Sequence, residues 1–276
     1  MVMMGPALKY PGAKWQIADW IISNLPPHRT YLEPFVGSGA IFFNKKKSVV
    51  ETLNDLDGNI INFFKVCREQ PQELVRLVQF TPWSREEYMN TLTFAGEESY
   101  FQRTGNELED ARRLLVRMWQ SRGSKTSDRS GWRHDKQGRS SSSCPREWKR
   151  IPERIKQTAD RLQDAQLENR PAIDVIMQYH FPEVLIYADP PYPLSTRSKR
   201  MYANEMTDAD HVQLLEALDQ HPGPVLLSGY SCELYDARLK HWTRKTVKAF
   251  AEGGREREEV LWINPVANLA IGTRLF

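Results

Sequence analysis

The chain has 276 residues, 40% apolar and 26% charged, with a formal net charge of +3, the balance of a soluble globular protein with enough apolar residues for a sizeable core. No apolar run approaches a membrane span, and Met1 to Lys9 has no apolar core flanked by a cleavage site, so neither a membrane protein nor a secreted precursor is expected. Cys67, Cys144 and Cys232 form no zinc spacing and no disulfide framework, which points to a reducing, cytoplasmic compartment and to no metal.

The first motif is Lys9-Tyr10-Pro11-Gly12-Ala13-Lys14. Pro11-Gly12 signals a turn, and Trp15 to Leu25 follows with apolar residues at helical spacing until Pro26-Pro27 stops it. An aromatic ring and a lysine thus flank a turn at a helix start, an end that favours anions. Thr30 to Phe43 then reads as strand, glycine turn and helix. Gly37 and Gly39 lack Cβ atoms and let the backbone approach a ligand, as in a nucleotide-cofactor loop. The third glycine of the dinucleotide fingerprint is missing, and no Gly-Lys-Ser/Thr follows, so neither an oxidoreductase nor a P-loop protein is favoured. Ser48 to Leu53 is a second strand ending in Asn54-Asp55-Leu56-Asp57. Asp55 is placed to accept from ribose hydroxyls, and Asp57 to cap a helix over Asn59 to Arg68.

From about Pro71 the character changes. Aromatic residues scatter among polar ones, Arg112 to Trp119 reads as a basic helix, and Gly123 to Cys144 is rich in Ser, Arg and Gly, too poor in aliphatics to build a core. Between Arg112 and Lys156 lie 14 Lys/Arg against 4 Asp/Glu. A basic segment on an otherwise acidic body suggests a polyanion partner, and the aromatics among the arginines suit phosphate contact with base stacking. Ile151 to Leu167 is expected to be helical.

Asp189-Pro190-Pro191-Tyr192 follows the apolar strand Val184 to Ala188. Two prolines force the chain out of the sheet. A carboxylate, a proline carbonyl and an aromatic ring are therefore left at a strand's carboxyl end, where open α/β sheets bind ligands. A planar amine fits between them, its N–H groups on the carboxylate and the Pro190 carbonyl and its ring against Tyr192. Ser195 to Met206 is a polar loop suited to a lid. Further on come a helix from Thr207, a strand Pro224 to Gly229, and a hairpin of Arg244 to Phe250 with Glu259 to Asn264 across a charged turn.

Together these segments resemble the Dam-type, site-specific DNA adenine-N6 methyltransferases in alpha-class order: cofactor motifs, insertion, catalytic tetrapeptide. The resemblance rests on Lys9 to Lys14, Glu33 to Gly39, Asp55 and Asp189 to Tyr192, and extends to Glu259 to Pro265. It implies an α/β fold, a Rossmann-like seven-stranded methyltransferase sheet with an inserted, mostly helical target-recognition domain. The catalytic domain would be residues 1–69 and 169–276, the DNA-recognition insertion 70–168. It also implies S-adenosylmethionine as methyl donor, double-stranded DNA as partner and no membrane; restriction-modification, an orphan enzyme and a phage enzyme stay open as settings. The oligomeric state stays open, a monomer included. Cofactor contacts would come from Tyr10, Lys14, Glu33, Phe35, Gly37, Gly39, Asp55 and Asp189. The catalytic set would be Asp189, Pro190 and Tyr192. Arg112, Arg113, Arg117, Arg122, Lys125, Arg129, Arg133 and Arg139 would face DNA. The insertion departs from the Asn/Gly-rich stretch that reads GATC in the best-known members, so the resemblance does not carry that target over.

The implied reaction flips an adenine out of the duplex and transfers a methyl group to its N6. An N4-cytosine DNA enzyme, an N6-adenine RNA enzyme, and a non-catalytic nucleic-acid-binding protein with this fold are the alternatives. Asp at the first tetrapeptide position leans toward adenine, and the intact glycines, Asp55 and Asp189 argue against loss of catalysis.

Overall fold

A computed structural model describes residues 4–92, 103–123, 130–135, 144–197, 200–250 and 256–273. In chain order the elements are α1 (Ala18–Ser23), β1 (Thr30–Glu33), α2 (Ala40–Asn44), β2 (Val50–Asn54), α3 (Gly58–Glu69), α4 (Pro71–Phe80), α5 (Arg85–Asn90), α6 (Glu107–Gln120), α7 (Cys144–Trp148) and α8 (Ile151–Leu162). There follow β3 (Ala165–Glu168), α9 (Ala172–Gln178), β4 (Val184–Ala188), α10 (Asp208–Asp219), β5 (Val225–Gly229), α11 (Glu233–Arg238), β6 (Thr243–Phe250), β7 (Glu256–Ile263) and α12 (Pro265–Gly272).

The strands form one seven-stranded sheet in the order β3-β2-β1-β4-β5-β7-β6. β1 to β5 run parallel, and β7 is antiparallel to both β5 and β6. The chain leaves β1 toward β2 on one side, while β4 lies against β1 on the other. The strand order therefore reverses between β1 and β4, and a crevice forms beyond the carboxyl ends of strands at such a point. The glycine turn and the Asp189 tetrapeptide leave from these two neighbouring strands.

Side chains alternate across a strand, so each face has its own character. On one face Leu32, Ile186, Leu227 and Trp262 join a buried apolar cluster with Leu214 of α10 and Tyr235 of α11. The opposite face carries Tyr31 and Glu33 of β1, Glu51 of β2, Tyr187 of β4 and Ser228 of β5, all buried. β4 is buried along its whole length, as its unbroken apolar run leads one to expect for an interior parallel strand.

The chain divides into two compact units. One holds Lys14–Leu56, Asp164–Arg200 and Asn204–Phe276, and so the sheet; the other holds the described parts of Met1–Ala13, Asp57–Gln163 and Met201–Ala203. In the second unit α3, α4, α6 and α8 pack on one another. Leu74, Leu115 and Ile155 are fully buried there. Asp57 caps α3, its carboxylate accepting from the Asn59 N–H at 3.0 Å, as its position predicts. Trp119 and Trp148 donate their indole N–H groups to the carbonyls of Ala7 and Thr81, at 2.8 and 2.9 Å.

Two expectations need correction. The helix expected over Ile151 to Leu167 ends at Leu162, and Ala165–Glu168 is instead an edge strand pairing Glu51 with Ala165. Four residues cannot separate a two-residue from a 3.6-residue period, so partnership with β2 decides. The first helix is also shorter than Trp15 to Leu25. Lys14 to Ile17 form a turn, with the Ile17 N–H donating to the Lys14 carbonyl at 3.1 Å. Among the described residues no helix is long and apolar enough to cross a membrane.

Ile186 is fully buried at the middle of the sheet. Ile186→Ala should lower stability by about 2–5 kcal/mol, read as a lower urea midpoint at unchanged slope; an unchanged midpoint would contradict this packing.

Candidate active site

Pro190 and Pro191 have no N–H to continue the ladder, so β4 stops at Ala188 and Asp189 stands at its carboxyl end. Both carboxylate oxygens are held. Lys14 Nζ lies 2.8 Å from Oδ2, and Ser228 donates its hydroxyl to Oδ1 at 2.8 Å. The Ser228 oxygen is also 3.0 Å from the Tyr187 hydroxyl. The Lys14 side chain is only 4% exposed, that of Asp189 18%. Breaking so buried a pair by removing one partner costs about 3–5 kcal/mol, so the Asp189 rotamer is firmly set. Each carboxylate oxygen has a second lone pair, so a partly exposed Asp189 can still accept from a ligand.

The turn after β1 carries the next part of the site. Gly37 and Gly39 have φ values of 49° and 70°, the left-handed region that favours glycine. A Cβ on Gly39 would also come within 2.5 Å of the Phe43 ring. The turn is braced from several directions. The Gly37 N–H donates to Asp55 Oδ2 at 2.9 Å, the Val36 N–H to the Asn54 carbonyl at 2.9 Å, and the Trp15 indole to Ser38 Oγ at 2.9 Å. Phe35 is half-buried against the apolar cluster. β2 thus delivers Asp55 to the turn that β1 begins, because the two strands are parallel neighbours.

Beneath the turn lies Glu33, 2% exposed. Burial pushes its carboxyl up to about 8; the Tyr31 hydroxyl, donating at 2.8 Å, pulls it back, and nearby Asp189 pushes it further up. Glu51 meets Lys45, whose ammonium also lies 4.2 Å from the Tyr31 ring centroid. Tyr192 is buried as well. Its hydroxyl donates to Glu259 Oε2 at 2.7 Å, its ring meets Tyr230 edge-on at 4.7 Å, and Lys14 Nζ stands 4.8 Å from its centroid.

Of the residues singled out in the sequence, Lys14, Asp189 and Tyr192 come together directly, and Gly37 meets Asp55. Tyr10 belongs to the other unit, 6.0 Å ring to ring from Tyr202. The eight basic residues differ among themselves. Arg112 is bonded by Glu109 and Glu87, each at 2.8 Å, and Arg113 by Glu109 at 2.8 Å. Arg117 is buried, Arg122 is exposed, and Arg133 pairs with Glu147 at 3.3 Å. Lys125, Arg129 and Arg139 lie outside the described residues. Sequence reasoning missed Ser228 and Glu259. Ser228 carried a signal, an isolated polar residue within an apolar strand, which costs free energy unless it is hydrogen-bonded; Glu259 closes the charged run Glu256-Arg257-Glu258-Glu259 and carried none.

Chemically, the arrangement offers a glycine turn with free approach, an acid at the next strand's end, a part-exposed carboxylate and an aromatic ring. That donor set suits a ligand combining hydroxyls, a cationic group and a planar ring. Among the described residues no cluster of three or more His, Cys, Asp or Glu could hold a metal ion.

Comparison with known proteins points the same way. The family model of the D12 class N6 adenine-specific DNA methyltransferases matches residues 10–252. A DNA N-6-adenine-methyltransferase of Escherichia phage P1 is 35% identical over 69 residues, 25% of this chain and 9% of that protein. A DNA adenine methylase of Vibrio cholerae is 34% identical over 68 residues, 25% of this chain and 24% of that protein. These matches therefore span at most about a quarter of either relative. A type II methyltransferase of Methanocaldococcus jannaschii is 24% identical over 270 residues, 88% of this chain and 91% of that protein.

The raised Glu33 carboxyl makes stability depend on pH. The folded chain keeps a proton that the unfolded chain releases above the ordinary value of 4.5, until about 8 is reached. The unfolded state therefore binds fewer protons in that window, and stability falls as pH rises through it. Glu33→Gln cannot ionise, so denaturation measured across that window should show the wild type losing stability relative to the variant; parallel curves would refute this.

Proposed function

Because the chain belongs to the D12 class of N6 adenine-specific DNA methyltransferases, we propose that it transfers a methyl group from S-adenosylmethionine to N6 of an adenine flipped out of duplex DNA. One observation carries the proposal: Asp189 stands at the strand-order reversal, both oxygens oriented, beside the glycine turn of the neighbouring strand. The donor is a cation with ribose hydroxyls and an adenine ring. Asp55 would accept from the hydroxyls, the Gly37–Gly39 turn would let the backbone approach, and Phe35 and Lys14 would complete the cradle. Asp189 places a carboxylate near the cation. The bound donor supplies an electrophilic methyl on a sulfonium, a good leaving group.

The remaining work falls to this chain's own groups. The adenine amine is a poor nucleophile, since its lone pair is delocalised into the ring. Asp189 and the Pro190 carbonyl would accept from its two hydrogens and localise that lone pair on nitrogen, a gain from position and preset electrostatics. The proton that N6 must lose is then already hydrogen-bonded to an Asp189 oxygen. Lys14 and Ser228 would keep that carboxylate aimed. Tyr192 would stack on the base, which requires a local opening, since its ring is 5% exposed. The chain after it is tied by Arg197, which donates to the Tyr192 carbonyl at 2.8 Å and is paired with Glu205.

The helical unit would recognise the duplex, at a flipping cost of about a few kcal/mol. In this reading Arg122 reaches phosphates directly, while Arg112, Arg113 and Arg117 support α6 from within. Duplex binding should then weaken steeply with added salt; affinity flat from low to high salt would count against a phosphate-dominated interface.

Asp189→Ala should cut methyl transfer by at least about 100-fold while calorimetry still detects S-adenosylmethionine. Tritium incorporation followed by nucleoside analysis should give N6-methyladenine from DNA. N4-methylcytosine, or label in RNA alone, would replace this reading with the corresponding enzyme, and retained turnover would remove Asp189 from the chemistry.

A further inference from the structure

Folding alone gives Glu259 no reason to be where it is. It lies on β7, next to Val260, Leu261, Trp262 and Ile263, which are all buried. Strand alternation puts Val260 and Trp262 in the apolar cluster and Glu259 on the other face. That is the face of Ser228, because Ser228 pairs with Leu261, two residues from Glu259. Glu259 is 8% exposed, and burial raises its pKa against the pull of Lys14 and of the Tyr192 hydroxyl. A buried carboxyl costs free energy unless a partner satisfies it. Its partner is the Tyr192 hydroxyl, at 2.7 Å.

We propose that Glu259 is a positioning residue that fixes the Tyr192 ring for stacking on the target base. The inference rests on the function proposed above and adds to it a residue on an antiparallel strand. A Tyr192 ring on a short proline-bounded segment could rotate about χ1 and χ2. Three contacts restrain it: Lys14 at 4.8 Å from the centroid, Tyr230 edge-on at 4.7 Å, and the hydroxyl bond to Glu259. The third acts at the far end of the side chain, where it restrains rotation about χ1 most strongly. Lys14 is shared, because the same ammonium binds Asp189. Glu259, Tyr192, Lys14 and Asp189 thus form one connected set, and the ring that receives the base and the carboxylate that receives its amine are oriented together.

The link is tested with Tyr192→Phe, Glu259→Ala and Glu259→Gln, using unmethylated genomic DNA and tritiated S-adenosylmethionine. Tyr192→Phe keeps the ring and removes only the hydroxyl. It and Glu259→Ala should each lower kcat by about 10- to 100-fold, as expected for losing a hydrogen bond that sets a reacting geometry, with KM for the donor unchanged. Glu259→Gln retains an acceptor and should recover part of the loss. In the double variant Y192F/E259A the two losses should not multiply, because both remove one bond. Wild-type kcat in Tyr192→Phe overturns the proposal even if Glu259→Ala fails to fold, and so do multiplying losses in the double variant. Absence of wild-type turnover on DNA would instead overturn the proposed function, which keeps the two failures distinct.

Discussion

The hydrogen-bonded ion pair between Lys14 and Asp189 is the interaction on which the site depends. It joins residues 175 positions apart, and only the sheet brings them together. A buried ammonium beside a carboxylate is expensive to desolvate and contributes little net stability unless every remaining group is satisfied. Here the second carboxylate oxygen takes the Ser228 hydroxyl, and the ammonium also faces the Tyr192 ring. The free energy of burial goes into orientation: a carboxylate that would otherwise rotate is held in one direction at the carboxyl end of β4.

This arrangement is possible because the two faces of the sheet divide the work. One face is apolar and packs against α9, α10 and α11, supplying the hydrophobic stabilisation. The other carries a row of buried polar side chains, Glu51 (paired with Lys45), Tyr31, Glu33, Tyr187 and Ser228, leading to the part-exposed Asp189. Polar groups in a low-dielectric interior strengthen one another when all are paired. Burial in that row, with the Asp189 carboxylate close by, pushes the Glu33 carboxyl up to about 8 against the pull of the Tyr31 hydroxyl.

In the helical unit the acidic and basic residues of α6 offset one another. Glu109 bonds both Arg112 and Arg113, and Glu87 bonds Arg112 as well. A count of positive charge along this segment therefore overstates what is open to a polyanion. Arg122 is the residue of the described basic set that stands exposed, and it directly follows the isolated bridge from Ser121 to Trp132.

The sequence by itself determined the punctuation of the fold. Pro190-Pro191 had to end β4, Gly37 and Gly39 had to mark the turn after β1, Asp57 had to cap α3, and the unbroken apolar run of β4 had to be interior. These follow from local stereochemistry and apolar pattern, which neighbours in the chain suffice to set. Only the tertiary structure decided that Ala165–Glu168 is a strand, because pairing with β2 outweighed a helical pattern too short to be diagnostic. It also decided that β1 and β4 are neighbours, that Lys14 and Ser228 share Asp189, and that Glu259 meets Tyr192 across 67 positions. Such contacts depend on strand order and on which face a residue occupies; a one-residue shift in register would turn each side chain to the other face, and nothing local in the sequence sets the partner.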